Sequence, residues 1–126
     1  MKEKGMPVVA MVYDFDGTLA PGNMQEFGLL KALGYDNPND FWDLCDHLAQ
    51  THDAGSISVV MYALLTEAKR AGIPLTCERL QAFGQEVNFF PGVLDWFDQI
   101  NAYATEIGIQ VKHYINSSGV KEMVEG

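Results

Sequence analysis

The sequence contains few cysteines, few basic residues and no long apolar run. Cys45 and Cys77 are its two cysteines, and they form neither a Cys-x-x-Cys pair nor a spacing with histidine that is typical of zinc sites. We therefore expect free thiols, as in the reducing cytoplasm, and no disulfide framework. The free thiols lead us to expect a cytoplasmic protein. No stretch reaches the roughly 18 apolar residues that a membrane-spanning helix needs, so we expect no membrane span.

Basic residues are outnumbered by acidic ones. Eight Lys and Arg stand against 17 Asp and Glu, which gives a formal net charge of −9. Because a nucleic-acid interface needs clustered positive charge, we expect no nucleic-acid partner. An acidic protein that acts on a phosphorylated molecule would need a local cation to offset its own field. Solubility is the simpler explanation for the charge.

The most informative stretch is VVAMVYDFDGTL, residues 8–19. The run Val8–Tyr13 predicts a strand that is buried on both faces, as in a parallel sheet. Asp14 and Asp16 follow where this strand should end, which is the edge at which α/β proteins bind ligands. Gly17 allows a tight turn and a close approach of the backbone to a ligand.

Two carboxylates this close together repel each other unless a cation or a shared proton intervenes. Mg²⁺ suits such a site, because it takes one or two carboxylates together with water and substrate phosphate. The residues alone therefore predict a metal-assisted site for an anionic substrate. The alternative is a polar turn at the end of a core strand.

Helical periodicity fills the middle of the chain. Apolar spacing, capping residues and glycines predict helices over about 24–33, 40–51, 58–71 and 77–87, followed by a helix at 93–107, a second strand at 109–115 and a short helix near 120–124. Asn23 and Thr76 are the expected N-caps, and Gly72 is an expected C-terminal cap. For the helix over 58–71, the predicted buried face is Ile57, Val60, Met61, Leu64, Leu65 and Ala68.

A second polar cluster, Asn116-Ser117-Ser118-Gly119, follows the second predicted strand. A small hydroxyl and the backbone N–H groups at a helix N-terminus can hold a phosphate oxygen. Ser117 is the preferred candidate because it follows the strand end directly, and Ser118 is the alternative. The same residues could also serve only as a helix cap.

Asp14-Phe15-Asp16-Gly17-Thr18, followed by Leu19, resembles the first motif of the haloacid dehalogenase-like hydrolase superfamily. Ser117 at the end of the second strand resembles its second motif. The resemblance implies an α/β fold with a Rossmann-like parallel-sheet core, residues 1–20 and 89–126, of which the first two strands are present. It also implies an inserted α-helical cap, residues 21–88.

The resemblance also assigns roles to residues. It implies that Asp14 is the nucleophile that forms an aspartyl-phosphate and that Asp16 is the general acid and base. Mg²⁺ would be bound by the Asp14 carboxylate and the Asp16 carbonyl. The implied phosphate-binding residues are Gly17, Thr18, Ser117, Ser118 and Gly119.

Two further motifs of the superfamily are not recognisable. One is a lysine that neutralises the phosphate, for which Lys112 and Lys121 lie too early, and the other is an acid that completes the Mg²⁺ site. Two core strands are readable, whereas sheets of this class have about five. We therefore expect the N-terminal portion of a longer protein. On its own it should bind Mg²⁺ weakly, turn over slowly, and either self-associate or pair with a missing C-terminal part.

The expected function is Mg²⁺-dependent hydrolysis of a phosphate monoester, with a small phosphorylated metabolite as the substrate. A phosphomutase of the same superfamily, which returns the phosphoryl group to a sugar, is the enzymatic alternative. The non-enzymatic alternative is a binding or interaction module without turnover.

Overall fold

The computed structural model describes residues 5–126, and these divide into two compact units. The sheet unit contains residues 5–22 and 88–117, and the helical unit contains residues 23–87 and 118–126. The elements, in chain order, are β1 (Val8–Tyr13), a 3₁₀ turn (Met24–Phe27), α1 (Leu29–Ala32), α2 (Pro38–His52), α3 (Ser56–Ala71), α4 (Cys77–Gly84), α5 (Val93–Glu106), β2 (Gln110–Ile115) and α6 (Lys121–Glu125).

The sheet unit is built on a parallel pair of strands. β1 and β2 are hydrogen-bonded in register from Val8 opposite Gln110 to Tyr13 opposite Ile115. α5 packs on one face of this pair, where the Phe97 ring lies edge-on to Tyr13 and His113, with ring centroids 5.6 and 5.1 Å apart. The coarse prediction of an α/β chain with parallel strands is confirmed.

The prediction that β1 is buried on both faces is wrong. The side chains of Val8, Val9 and Val12 are 53%, 43% and 63% exposed. The apolar run is typical of a strand covered from both sides. In residues 5–126, however, α5 packs on one face of a two-stranded sheet. β1 is therefore more apolar than its exposure among these residues requires.

The helical unit has the larger buried core. Leu29, Leu30, Leu33 and Phe41 are at most 1% exposed. The Phe41 ring makes edge contacts with two neighbouring aromatic rings, at centroid distances of 5.1 and 5.5 Å. This core joins α1 to the start of α2, where Pro38 occupies the first turn and the Asn37 side chain accepts a hydrogen bond from the Asn39 amide.

The helix ends follow the sequence closely. Thr76 Oγ1 accepts the Arg79 amide at 3.2 Å, and α3 ends at Gly72 with φ +70°, so the predicted caps are confirmed. The helix predicted over residues 24–33 is instead broken in two at Gly28, whose φ of +152° is available mainly to glycine. A Cβ atom at Gly28 would also collide with the Glu86 carboxylate.

The buried face of α3 differs from the prediction. Val59, Ala63, Leu64 and Ala68 are buried, whereas Ile57, Met61 and Leu65 of the predicted face are 56%, 37% and 64% exposed. Only two of the predicted six residues, Leu64 and Ala68, are in the buried set. The small side chains of Ala63 and Ala68 allow the α3 backbone to pack closely against neighbouring helices such as α2. The helix therefore buries the side that carries these alanines and leaves larger apolar residues in solvent.

Gly84, at the end of α4, lies where α4 approaches the backbone of α6 closely. A Cβ atom built there would collide with the backbone carbonyl of Met123 in α6. Glycine in a helix normally costs about 1 kcal/mol relative to alanine. Here we expect Gly84→Ala to lower the free energy of unfolding by at least about 1 kcal/mol, because the two helices must separate.

Urea unfolding followed by far-UV circular dichroism measures this effect. The matched control is Gly55→Ser at the N-cap of α3, where φ is −65° and a Cβ atom meets nothing within 4 Å. The control should change stability by less than about 0.5 kcal/mol. A stabilised Gly84→Ala variant would show that α4 and α6 do not approach each other as described.

The two cysteines are free thiols, as predicted, but they differ in environment. Cys45 is buried in α2, and Cys77 is exposed at the start of α4. Burial raises the pKa of the Cys45 thiol, and the neighbouring Asp46 carboxylate raises it further. Because the thiolate is the reactive form, iodoacetamide should alkylate Cys77 at least roughly tenfold faster than Cys45 at pH 8.

Peptide mass mapping after timed quenching gives the two alkylation rates. The difference should disappear in urea, where both thiols are exposed. The raised pKa also means that Cys45 contributes stability below the pKa of the unfolded thiol, and that this stability is lost as the pH rises through the folded pKa. Equal native alkylation rates would contradict the buried position of Cys45.

Candidate functional site

The turn after β1 is built by backbone hydrogen bonds around a buried centre. The Phe15 carbonyl accepts the amides of Thr18, Leu19 and Ala20 at 3.2, 3.0 and 3.3 Å, and the Gly17 amide donates to the Ala20 carbonyl at 2.7 Å. The side chains of Phe15, Leu19 and Ala20 are buried. An edge contact between the Phe15 and Phe89 rings and a hydrogen bond from the Phe90 amide to the Leu19 carbonyl, at 2.9 Å, attach the turn to the rest of the sheet unit. Gly17 has φ +76°, a conformation that favours glycine.

The two aspartates occupy different positions in this turn. The Asp14 side chain is exposed, and its Oδ1 atom accepts the Phe15 amide at 2.9 Å. Asp16 is half-buried and forms a backbone bridge with Ala20. The turn thus presents an exposed carboxylate with one oxygen already oriented by a backbone donor.

The end of β2 lies beside the end of β1. The Asn116 amide donates to the Tyr13 carbonyl at 2.8 Å, which continues the parallel register by one residue beyond the strands. Asp14 and Ser117 therefore leave the sheet at the same edge, and Ser117 is half-buried. The structure brings Asp14, Asp16, Gly17, Thr18 and Ser117 into one unit.

Ser118 and Gly119, the other predicted phosphate-binding residues, are grouped with the helical unit. Gly119 lines a groove of about 410 Å³ whose other walls include Leu64 and Leu65 of α3. The structure therefore does not bring Ser118 and Gly119 together with Asp14 within one unit.

A hydrogen-bonded chain of side chains lies directly before Asp14. The Trp96 indole N–H donates to the Tyr13 hydroxyl oxygen at 2.9 Å, and the Tyr13 hydroxyl lies 2.8 Å from His113 Nδ1. His113 Nε2 lies 2.8 Å from Asn101 Oδ1. Because an indole can only donate, the assignment that satisfies every group has Tyr13 donating to Nδ1 and Nε2–H donating to Asn101. This chain connects α5 to both strands.

Sequence reasoning placed Tyr13 and His113 in the strands and missed their connection to α5. Tyr13 is separated from Trp96 by 83 positions, so no local pattern reveals the contact. The available signal was one polar side chain in each strand, Tyr13 in β1 and His113 in β2. The parallel register brings them near each other, because His113 pairs with Met11 and Tyr13 lies two residues further along β1.

We expect Tyr13→Phe to lower the free energy of unfolding of the sheet unit by about 1–2 kcal/mol, because it removes one acceptor and one donor from this chain. Urea unfolding followed by tryptophan emission provides the measurement. The control is Tyr103→Phe on α5, where the side chain is 57% exposed, with an expected change below about 0.5 kcal/mol. Equal effects of the two substitutions would contradict the connecting role of Tyr13.

The donor set at the turn fits part of a Mg²⁺ site. Asp14 and Asp16 supply carboxylates two residues apart, and Mg²⁺ is commonly held by one or two carboxylates plus substrate phosphate. Within residues 5–126 no group of three or more His, Cys, Asp or Glu side chains is arranged to hold a metal ion. The residues present could therefore hold a metal only together with water, backbone oxygen or substrate oxygens.

No family model and no solved structure matches the chain. It is similar to an uncharacterized protein of Borreliella burgdorferi, with 27% identity over 129 residues, 94% of this chain and 45% of that protein. The chain thus spans about half the length of the curated relative it matches. Among the described residues, no helix is both long and apolar enough to cross a membrane.

Proposed function

We propose that the chain carries the nucleophile of a Mg²⁺-dependent phosphate monoester hydrolase of the haloacid dehalogenase-like type. The observation that supports this most is the parallel register of β1 and β2, which brings Asp14 and Ser117 to the same edge of the sheet. A carboxylate and a small hydroxyl at the carboxyl ends of adjacent parallel strands lie where α/β enzymes bind their ligands.

In this proposal the Phe15 amide orients Asp14 through Oδ1, and Oδ2 attacks the phosphorus atom of the substrate. The bond between phosphorus and the leaving oxygen breaks, and Asp16 donates a proton to that oxygen. Asp16 then takes a proton from water, whose oxygen attacks the aspartyl-phosphate. The bond to Asp14 breaks, which releases inorganic phosphate and restores the carboxylate.

Mg²⁺, when bound, would offset the negative charge of the carboxylates and the phosphoryl group. Asp14 and the Asp16 carbonyl are the proposed protein ligands. Ser117 and the turn residues Gly17 and Thr18 would hold the phosphoryl oxygens, with Ser118 and Gly119 as the further candidates. We expect weak Mg²⁺ affinity for this chain, since no third acid is assigned to the site.

The finer features of the fold belong to the same proposal. The two strands would be the first two of a Rossmann-like sheet, and residues 21–88 would be an α-helical cap inserted between them. The free thiols favour a cytoplasmic location. The substrate would be a small phosphorylated metabolite, and the turnover of residues 1–126 alone should be low because no lysine is assigned to neutralise the phosphoryl group.

Release of inorganic phosphate from an aryl phosphate, measured with and without Mg²⁺, tests the proposal. We expect slow release that requires Mg²⁺. An isomerised sugar phosphate formed in place of free phosphate would favour the phosphomutase. Binding of Mg²⁺ or phosphate without any turnover would instead favour the non-catalytic module.

A further inference from the structure

The sheet unit leaves one side of its sheet uncovered. In a parallel pair, register partners point to the same side, and the side alternates along each strand. Tyr13 and His113 contact Phe97 of α5, so the residues that alternate with them form the opposite side. We name this set the bare face, and its members are Val8, Ala10, Val12, Gln110, Lys112 and Tyr114.

The bare face is accessible, and the half that β1 contributes is apolar. Val8, Val12 and Tyr114 are 53%, 63% and 52% exposed, and the remaining members are also exposed. Parallel sheets occur almost entirely with both faces covered, and their cover is α-helical. An exposed apolar strip on such a face is a candidate surface for association with another polypeptide segment.

Lys112 specifies the charge of the polypeptide that fits. It lies at the centre of the bare face, in register with Ala10. A helix placed over this position would take the ammonium group at least partly out of water, and a carboxylate on that helix would offset this cost. A second copy that used the same face would oppose one Lys112 to another, which is unfavourable.

We infer that the bare face binds an amphipathic α-helix from outside the described residues, 5–126, and that this helix carries a carboxylate within its apolar stripe. The Borreliella burgdorferi relative supports this source, because 55% of its length lies outside the part that this chain matches (100 − 45). The inference rests on the packing and charge of the sheet unit and not on the proposed phosphatase activity.

Two designed helical peptides of about 18 residues test the charge preference. Both carry a leucine stripe at positions i, i+3, i+4 and i+7, and they differ by Glu or Lys at its centre. Fluorescence anisotropy with the intact 126-residue chain should show the Glu peptide binding at least about tenfold more tightly than the Lys peptide. Val12→Asp should weaken both peptides by about tenfold or more.

Charge reversal supplies the decisive comparison. Lys112→Glu should invert the order of the two peptides, and Lys112→Met should remove the difference between them. The control Lys121→Glu, in the helical unit, should leave the order unchanged. Failure of both peptides to bind, or a preference that Lys112→Glu leaves unchanged, would overturn the inference. A dimer in sedimentation velocity that Val12→Asp dissociates would also overturn it, because the face would then bind a second copy.

Discussion

Asp14→Asn is expected to reduce phosphate release by at least about 10³-fold, to the level of the buffer. The amide is neutral and a poor nucleophile, so the aspartyl-phosphate cannot form. The substitution should leave the turn intact, because the Asn side-chain carbonyl can still accept the Phe15 amide that now donates to Asp14 Oδ1 at 2.9 Å. The loss would therefore arise from the chemistry of the carboxylate and not from unfolding.

Asp98→Asn on α5 is the matched control, since it removes an exposed carboxylate from the same unit. It should leave the release of phosphate within about twofold of the wild-type rate. Asp16→Asn should also reduce the release of phosphate, by about 10²- to 10⁴-fold, which is typical for removal of a general acid–base. Full hydrolysis by Asp14→Asn would exclude Asp14 as the nucleophile.

Phe41→Ala is expected to have the largest effect on stability, a loss of about 3–5 kcal/mol of unfolding free energy. The Phe41 side chain is 0% exposed and makes edge contacts with the rings of Tyr35 and Trp42. Trp42 is in turn fixed by a hydrogen bond from Nε1 to the Glu26 carboxylate at 2.7 Å. Removing the Phe41 ring leaves a cavity that these tethered neighbours cannot easily fill.

Urea unfolding followed at 222 nm reports on the helical unit, which holds α1 to α4 and α6. Tyr62→Ala in α3 is the control, because the Tyr62 side chain is 58% exposed. Its expected cost is below about 1 kcal/mol. Similar midpoints for the two variants would contradict the position of Phe41 at the centre of this core.

The element order could be predicted from the sequence because local signals define it. The apolar run Val8–Tyr13, the cap Thr76 and the stop Gly72 each act within one turn or strand, and the structure places them as predicted. The break at Gly28 was missed because apolar spacing alone does not reveal where a glycine takes a positive φ, here +152°.

Burial was harder to predict than element type. The apolar spacing of α3 fits more than one face, and contact with neighbouring helices selects the side with Ala63 and Ala68. The apolar run of β1 indicates a strand that could be buried on both faces. The actual exposure of its side chains depends on which helices pack against the sheet.

Some residues of the candidate site can be identified from local sequence, and others only from the tertiary structure. Asp14, Asp16 and Gly17 are adjacent in sequence, so a short motif identifies them. Ser117 joins them only through the parallel register, which requires both strands. The hydrogen-bonded chain from Trp96 through Tyr13 to His113 needs α5 as well, and no local pattern in the sequence predicts it.

The most direct test of the account is the site at which the chain becomes phosphorylated. The 126-residue chain would be incubated briefly with radiolabelled acetyl phosphate and Mg²⁺, quenched in acid, digested and mapped by mass spectrometry. We predict a label on the peptide that contains Asp14, which hydroxylamine removes because the linkage is an acyl phosphate. A chain that acquires no label, or a hydroxylamine-resistant label on Ser117, would contradict the proposal that Asp14 is the phosphoryl acceptor.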